Sequence, residues 1–569
     1  MNRQPSWEEG ARSSVFISRS EKGEECFVGF GIVTRPESTG LLTNMRSVTR
    51  ATRPSKGCSS SPDPGRLEKA PSWVAPSPRE GAVFHPGPPP RPPRNNLRRQ
   101  LGLGTAAAAV AGEAIGVGIF LTPAGMARQL GSPFWLLMVW LLMGLMAVAG
   151  GVCFGGLAAR YPEAGGLYVY LREAFGARLA FLYGWMQLLV MDPGVTASLA
   201  VGMAAYAASV THITVLQQKI LGIGAILCLA AINMRGARLG AGVLQGLTWL
   251  KISALAFLPI WALAFGLGSW SHFSPLVSPR SSSTPLLAAL AASSMAAFYS
   301  FGGWWDATKI AGEVREPERN MPRALMLGIL AVTLIYILVT GVFIYLVPIE
   351  RITSGETFMA QAGGRMFGAA GAAIMAALVV LCVLACMTAL LMLSPRVYYA
   401  MARDGLFFDA IARTHPTYGT PARAVALQAI LASLLVALGT FNQIVAYFVF
   451  VAVAFLGLTV AGLFPLTRRA NPGPRHSERS NPSPAFGREP FGKRGPEEFR
   501  PQGEESPSSQ LRVPGFPYTP ILFLLLTAFM LALLASRSPR QALLGLLVVS
   551  LGVPAFQLVR KGKIARAKG

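Results

Sequence analysis

The stretch AGEAIGVGIF, from Ala111 to Phe120, places three glycines and one acid in a segment that is otherwise apolar enough to span a membrane. Glycine weakens a helix interior by about 1 kcal/mol relative to alanine, and a carboxylate inside a bilayer is costly and usually functional. The stretch therefore predicts a spanning helix that is interrupted at Gly116 and Gly118, with Glu113 one turn before the break.

The composition indicates the class of protein. Of the 569 residues, 52% are hydrophobic and only 14% are charged, whereas soluble domains average about 25% charged residues. Apolar runs long enough to cross about 30 Å of hydrocarbon recur along the chain. They predict an all-α polytopic membrane protein with twelve transmembrane helices. The approximate centres of these spans are Ala114, Leu142, Leu189, Gly224, Ala254, Met295, Ile335, Val383, Leu434, Ala454, Leu526 and Leu547.

Two segments rich in proline, serine, glycine and arginine offer too little apolar surface to fold. We predict five regions: a disordered cytoplasmic tail at 1–99, a core of spans 1–10 at 100–469, a disordered cytoplasmic loop at 470–515, spans 11–12 at 516–560 and a basic tail at 561–569. Residues 1–95 have two further interpretations: an extension upstream of the true start codon, or a regulatory tail that recruits a partner.

The basic residues predict the orientation. Arginines concentrate in alternate loops, for example at Arg160, Arg235 and Arg319, and the chain ends in RKGKIARAKG. Because such loops face the cytoplasm, both termini are predicted to be cytoplasmic. The net charge of +24 follows from this bias and from the basic tails, so it does not indicate a nucleic-acid partner.

Signatures of catalysis and of nucleotide-driven pumping are missing from the sequence. It contains no HExxH, P-loop, GxSxG or CxxC motif, and each of these would supply a specific chemistry. We therefore predict neither an enzyme nor an ATP-driven pump, and no cofactor or metal ion. Cys382 and Cys386 lie four residues apart, which favours helix packing over metal binding because two ligands make no site.

A second interrupted span supports a specific architecture. The stretch AAFYSFGGWWDATKIAGEV, from Ala296, contains Gly302 and Gly303 followed by Asp306, and it lies five spans after the first break. Paired Gly-interrupted spans in corresponding positions of two halves indicate a transport site between inverted repeats. The offset predicts a 5+5 inverted repeat followed by two further helices.

The physics of a broken helix suggests what such a site binds. Where a spanning helix unwinds, the break must line a cavity; its freed amides attract a carboxylate, and its freed carbonyls attract an ammonium group. Two facing breaks could hold a zwitterion without any charged side chain. The competing interpretation is that Gly116 and Gly118 only let a neighbouring helix pack closely.

Six motifs, in order along residues 100–560, resemble those of the amino acid–polyamine–organocation superfamily, close to its L-amino-acid transporter branch. They are IGVGIF at Ile115, YPEAGGLYVYLREAFG at Tyr161, FLYGWMQLLVMDPG at Phe181, FGGWWDATKIAGEVREPERNMPRAL at Phe301, SPRVYYAMARDGLFF at Ser394 and RVPGFPYTPILFLL at Arg512. The resemblance implies a bacterial amino acid permease in the cytoplasmic membrane.

The resemblance also implies a LeuT-like fold with a substrate site between spans 1, 3, 6 and 8. By position, the amides of Val117 and Gly118 would meet the substrate carboxylate, and Tyr299 would close over the substrate. The carbonyls implied to meet the ammonium are those of Ala114, Tyr299, Ser300 and Gly302. The implied binding set is Ala114, Ile115, Gly116, Val117, Gly118, Tyr299, Ser300, Phe301, Gly302 and Gly303. Val117 departs from the family, which often has a small hydroxyl residue there.

Charged residues within spans are candidates for coupling or gating. Lys251, deep in the fifth span, resembles a replacement for a bound sodium ion; proton coupling, cation substitution and static pairing remain open. Glu113 and Asp192 are its possible counter-charges, and Asp192 could instead contact a substrate amine, or pair with a lysine or a loop amide. The resemblance places Ser394 near the ancestral cation site, with helix packing as the alternative.

The residues after the second break have simpler interpretations. Trp304 and Trp305 are predicted to lie in the interfacial belt. Asp306 and Glu313 are expected to pair with Lys309 at helical spacing, and Arg396 is expected at a cytoplasmic gate or at lipid.

Taken together, the sequence predicts a secondary transporter that moves an amino acid by alternating access, either coupled to protons or by exchange. A polyamine or organic-cation exchanger, and an amino-acid sensor built on a transporter fold, remain as alternatives. The sequence indicates neither the particular amino acid nor a partner subunit.

Overall fold

The structure is a computed structural model that describes residues 14–19, 26–31, 97–211, 213–277, 285–351, 358–438, 441–470, 513–537 and 539–568. The chain divides into two compact units, Met1–Pro88 and Pro89–Gly569. Most of the predicted tail at 1–99 and of the predicted loop at 470–515 lies outside the described residues, so both remain predictions.

The first unit contains two described strands, β1 (Ser14–Arg19) and β2 (Cys26–Gly31). They pair antiparallel, with Ser14 opposite Gly31 and Arg19 opposite Cys26. A hairpin of two strands is at best marginally stable by itself in water. The hairpin alone therefore contributes little to the free energy of unfolding of this unit.

The described residues of the second unit are helical, apart from connecting segments and one isolated parallel bridge between Leu101 and Val314. The α-helices are α1 (Leu103–Ala114), α2 (Gly118–Leu130), α3 (Pro133–Arg160), α4 (Leu167–Phe175), α5 (Ala177–Met186), α6 (Asp192–Thr211), α7 (Val215–Met234), α8 (Ala237–Ala264), α9 (Leu286–Phe301), α10 (Pro317–Leu346), α11 (Phe358–Phe367), α12 (Gly371–Leu393), α13 (Pro395–Arg403), α14 (Ala422–Leu438), α15 (Phe441–Ala461), α16 (Leu463–Ala470), α17 (Tyr518–Arg537) and α18 (Pro539–Lys568). A π-helical turn at Gln187–Met191 joins α5 to α6. The 3₁₀ segments are Trp270–Phe273, Trp304–Glu313, Ile349–Arg351, Gly368–Ala370 and Asp409–Ala412.

Most of these helices are long and apolar enough to cross a membrane. In the described residues there are 10 candidate spans, or up to 11 if the bent pair α1 and α2 counts as one. Each of the twelve predicted centres falls within one of these spans or within α14. However, α14 has only 17 residues, or about 26 Å at 1.5 Å per residue. A polytopic helical protein is therefore established, and the count of twelve remains a prediction.

Small residues let the central helices pack closely. On α3, a Cβ at Gly151 would clash with Ile329 of α10, and a Cβ at Gly155 would press against Pro322 of the same helix. The two helices can therefore approach closely at these glycines. The same helix α10 packs on α1, where Gly328 makes room for Val110. The buried side chains form one continuous apolar cluster in the helical unit.

Both predicted interruptions are present. The first span is bent by 45° between α1 and α2, across residues 115–117, and the sixth changes from α9 to a 3₁₀ segment at Gly302 and Gly303. The first half of span 1 contacts the second half of span 6, and the remaining halves contact each other. The two broken spans therefore run in opposite directions, with their breaks side by side.

A short segment before α1 is tied to the loop that follows the second break. The amides of Gln100 and Leu101 both donate to the Glu313 carbonyl, at 2.8 and 3.0 Å, and Arg315 N donates to Leu101 O at 2.8 Å. Leu97 and Leu101 are buried. In the described residues, the segment that starts at Leu97 is therefore part of the packed helical unit.

We expect deletion of residues 1–95 to leave the apparent Tm of the helical unit in detergent unchanged, because it keeps all the described contacts between the segment before α1 and the loop after the second break. Deletion of residues 1–102 removes the bridge to Val314 and should lower the apparent Tm. Circular dichroism or a fluorescence-based thermal assay on both truncations measures the difference. A large loss of Tm in the shorter deletion would contradict this assignment.

Candidate functional site

The two breaks enclose a cavity of about 130 Å³. It lies between spans 1, 3, 6 and 8, with one contribution from α15. Its walls consist of Glu113, Ala114, Gly116, Val117, Gly118, Val190, Met191, Asp192, Val195, Leu199, Phe298, Tyr299, Ser300, Gly302, Gly303, Trp305, Asp306, Cys386, Leu390 and Ala452. The structure thus brings most of the sequence-predicted site residues to one place.

Two residues of the predicted binding set do not line this cavity. Ile115 is fully buried in the apolar core. Phe301 turns away to pack its ring against Trp140 and Tyr336, at centroid distances of 6.0 and 5.0 Å. In a helix, neighbouring residues point in different directions, so the spans must place some side chains of each break in the core.

Gly118 and Gly116 have different surroundings. A Cβ on Gly118 would lie 2.7 Å from the Ser300 Cα, so this glycine is where the two breaks touch. Thr122 reinforces the contact, with its hydroxyl 2.9 Å from that of Ser300. A Cβ on Gly116 would meet only the Cys386 sulfur, at an ordinary 3.6 Å. The close-packing interpretation therefore applies to Gly118, which also lines the cavity.

The break leaves the start of α2 open toward the cavity. Among the described residues, the N-cap Val117 makes no side-chain capping bond, and its apolar side chain has no acceptor to offer. The first amides of a helix lack intrahelical partners, and its N-terminus carries a partial positive charge. This end of α2 can therefore accept an anionic group.

Tyr336 of α10 joins the carbonyls of both breaks. Its buried hydroxyl lies 2.8 Å from Ala114 O and 2.7 Å from Ser300 O. A hydroxyl has one hydrogen to donate, so it satisfies one carbonyl at a time, and each carbonyl oxygen keeps acceptor capacity. Sequence reasoning missed this residue, because Tyr336 is one of several hydroxyl side chains in an otherwise apolar helix and nothing in the sequence distinguishes it.

Lys251 of α8 binds carbonyl groups at the C-terminal end of α1. Its ammonium donates to Gly112 O and Ile115 O, both at 2.7 Å, and the side chain is fully buried. A cation at this position meets the carbonyls and the partial negative charge of a helix C-terminus. Lys251 therefore binds the backbone of the break directly.

Asp192 pairs with a lysine, which is one of the alternatives that the sequence left open, but this lysine is Lys309 rather than Lys251. Its carboxylate lies 3.3 Å from the Lys309 ammonium and accepts a hydrogen bond from the Tyr398 hydroxyl at 2.9 Å. Ser394 is buried beside the same carboxylate rather than at the Lys251 contact. The π-helical turn Gln187–Met191 immediately precedes Asp192, and such turns frequently mark functional positions.

Asp306 pairs with Lys309 as expected, at 2.9 Å. Glu313, by contrast, pairs with Arg396 at 2.8 Å, because the 3₁₀ geometry of Trp304–Glu313 changes which side chains share a face. Arg396 is therefore neither exposed nor at lipid; it is buried and also donates to Met392 O.

Glu113 lies beside the second break, and the two tryptophans differ from expectation. Glu113 is buried against Gly303, where an added Cβ would lie 2.6 Å from the Glu113 Cγ. Trp304 and Trp305 are buried rather than interfacial, since Trp304 packs edge-on against Phe154 and Trp305 lines the cavity. Glycine at position 303, with φ 103°, makes room for the glutamate.

A second ionic network lies outside the candidate spans, around Arg172 in the last turn of α4. Arg172 pairs with Glu163 and with Asp404, each at 2.9 Å. Tyr168 donates to the same Asp404 carboxylate at 2.8 Å. Burial and this carboxylate raise the pKa of the Tyr168 hydroxyl, so it keeps the proton that it donates. Like the Glu313–Arg396 pair, the network joins segments that are far apart in the chain, here the segment before α4, α4 itself and the end of α13.

Comparison with known proteins gives a consistent picture. The family model described as amino acid permease matches residues 101–549. A serine/threonine exchanger from Bacillus subtilis is 29% identical over 381 residues, covering 66% of this chain and 85% of that protein. The b(0,+)-type amino acid transporter 1 of Mus musculus is 28% identical over 374 residues, covering 65% and 76%. The large neutral amino acids transporter small subunit 2 of Homo sapiens is 26% identical over 371 residues, covering 64% and 69%.

We expect Lys251→Met to lower the free energy of unfolding by about 2 kcal/mol, because it keeps the apolar stem but leaves two carbonyls of the break without their donor. Thermal or denaturant unfolding in detergent measures the change. Lys219→Met is the matched control, since Lys219 makes one carbonyl contact at an exposed site, to Ala437 O at 2.9 Å. Equal losses in the two variants would refute a special role for Lys251 at the break.

Proposed function

The chain belongs to the amino acid permease family and is an amino acid transporter rather than an enzyme, and we propose that it moves its substrate by alternating access around the cavity between the two breaks. The observation that carries this proposal is the meeting of two interrupted, oppositely directed spans at one cavity. Such breaks are tolerated in a membrane where they line a binding site.

The cavity suits both charged ends of an amino acid. The substrate carboxylate meets the uncapped start of α2, at the amides of Val117 and Gly118. Its ammonium meets the carbonyls of Ala114 and Ser300, which lie together because the Tyr336 hydroxyl reaches both. Tyr299, which is 46% exposed, closes over the bound molecule. We propose the same roles for the other cavity-lining residues of the predicted set, Gly116, Gly302 and Gly303.

The remaining walls favour a neutral amino acid. Beyond the breaks, the cavity is lined by apolar side chains such as Val195, Leu199, Phe298 and Leu390. An apolar wall binds aliphatic side chains and rejects a charge that finds no partner. The names of the relatives refer to serine and threonine in one case and to large neutral amino acids in another.

Carboxylates in the cavity wall favour a second candidate, an organic cation such as a polyamine. Glu113, Asp192 and Asp306 all line the cavity. However, Lys309 already lies 3.3 Å from Asp192 and 2.9 Å from Asp306. This internal ammonium occupies the position that a substrate cation would need, so we place the neutral amino acid first.

Two ion pairs suggest which state of the cycle the structure represents. We propose that the ion pairs Glu313–Arg396 and Arg172–Asp404 close the cytoplasmic side, so that the substrate enters from the opposite face. Lys251 would serve as a fixed cation at the break, in place of a bound ion. With both termini in the cytoplasm, the protein would reside in a bacterial cytoplasmic membrane as a multi-pass protein.

Competition in proteoliposomes tests the substrate class. We expect counterflow of labelled L-serine or L-leucine to be inhibited by an excess of neutral amino acids and to be little affected by putrescine or L-lysine. Inhibition by putrescine alone, with putrescine counterflow, would support the cation exchanger instead. Binding of an amino acid without any flux would support a sensor.

We expect Gly118→Leu to abolish uptake of the same amino acids, because the side chain would collide with Ser300 and force the two breaks apart. Gly125→Leu, on the same helix α2, is the matched control, since a side chain there enters open space. Uptake in proteoliposomes is compared at equal amounts of inserted protein. Near-normal uptake by the Gly118 variant would overturn the assignment of this contact to the transport site.

A further inference from the structure

Three carboxyl groups and one ammonium group meet at the cavity wall. Glu113, Asp192, Asp306 and Lys309 are 6%, 2%, 3% and 0% exposed, respectively. If all four were ionised, the group would carry a net charge of −2 in a region of low dielectric. Such an excess of buried like charge is avoided in proteins by protonating a carboxylate.

The hydrogen bonds show which carboxylates are stabilised as anions. Asp192 has two donors, Lys309 and Tyr398, and one oxygen of Asp306 lies 2.9 Å from the Lys309 ammonium. Within the part of the chain that the structure describes, the other oxygen, Asp306 Oδ1, has no donor, and neither has Glu113 Oε2. Both oxygens are buried.

These two carboxyl groups face each other. The side chains of Glu113 and Asp306 lie within hydrogen-bonding reach. Two ionised carboxylates are acceptors only, so neither can donate to the other. One proton between them supplies the missing donor and removes one negative charge, as in other pairs of carboxyl groups that share a proton.

We propose that Glu113 and Asp306 share one proton and form the proton-binding site that couples transport to a proton gradient. This inference rests on the proposed transport function and deepens it. It assigns coupling to the carboxyl pair, and it leaves Lys251 as the fixed cation of the break. The proton enters from water on one side and leaves to water on the other, and no covalent bond changes.

The location of the pair explains how a proton could control the transport site. Glu113 lies in the last turn of α1, and Asp306 in the first turn of Trp304–Glu313. These two half-spans contact each other, and the Glu113 side chain packs against Gly303. Loss of the proton leaves two adjacent anions that repel each other, which favours separation of these two half-helices.

The surroundings of the pair set its response to pH. The ionisable side chains that face it are Asp192, Lys309, Lys251, Cys386, Tyr183 and Tyr398. Of these, Lys309 carries a charge opposite to that of a carboxylate, and Asp192 carries the same charge as one. Because Lys309 is already bound by Asp192, its charge does not compensate a second anion in the pair.

The test uses the full-length protein in proteoliposomes that contain a trapped pH dye. Addition of L-serine or L-leucine to the wild type should acidify the lumen, and an inward gradient of one pH unit should support about a tenfold accumulation. In Glu113→Gln and in Asp306→Asn, acidification and gradient-driven accumulation should be lost while counterflow remains detectable. The glutamine amide can donate to Asp306, so this variant keeps the hydrogen bond without the proton.

Glu318→Gln is the control, because Glu318 is an exposed carboxylate at the start of α10; it should behave like the wild type. Wild-type counterflow without lumen acidification would overturn the proton site but not the transport function. Retained acidification in both carboxyl variants would also overturn it. Absence of counterflow in the wild type for every amino acid would instead refute the transport function.

Infrared spectroscopy decides the matter even if a variant is inactive. The carbonyl stretch of a protonated carboxylic acid should be present in wild-type protein at neutral pH and lost in Glu113→Gln, because the variant lacks the second carboxylate with which the proton is shared. Its absence in the wild type would overturn the shared proton. A purely structural role of Glu113 would not remove this band selectively.

Discussion

The structure depends on one constraint: peptide groups that leave a helix inside the membrane must find partners within the protein. Around the first break, the Lys251 ammonium binds two carbonyls of span 1, and the Tyr336 hydroxyl reaches a carbonyl of each broken span. An unsatisfied backbone group in hydrocarbon is costly. The groups left over, at the start of α2 and at the break carbonyls, are therefore those that a zwitterionic substrate can complete.

Close packing and binding are achieved by the same residues. Gly118 brings the start of α2 against Ser300, and Gly303 leaves space for the Glu113 side chain. A larger residue at either position would move the breaks apart. The glycines therefore shape the cavity because they let Ser300 and Glu113 approach the backbone, while the backbone amides and carbonyls are the groups that we propose to bind the substrate.

The two buried lysines have different partners, and this difference could not be inferred from the order of residues. Lys251 binds only backbone carbonyls in its described hydrogen bonds, whereas Lys309 gathers Asp192 and Asp306. Asp192 and Lys251 both lie deep in apolar spans, so charge balance alone favoured pairing them. The π-helical turn before Asp192 and the 3₁₀ segment around Lys309 set the actual partners, and neither distortion has a clear sequence signal.

The sequence by itself determined the class of protein, the approximate positions of the spans and the location of both breaks. These features depend on the length of each apolar segment and on glycines that weaken the helix at their own position. It also indicated most residues of the cavity wall. Only the tertiary structure decided that Ile115 and Phe301 face the core, that Tyr336 joins the two breaks, that Glu313 meets Arg396, and that Glu113 faces Asp306. These contacts join residues far apart in the chain, and they depend on helix rotation and on departures from α-helical geometry that packing imposes.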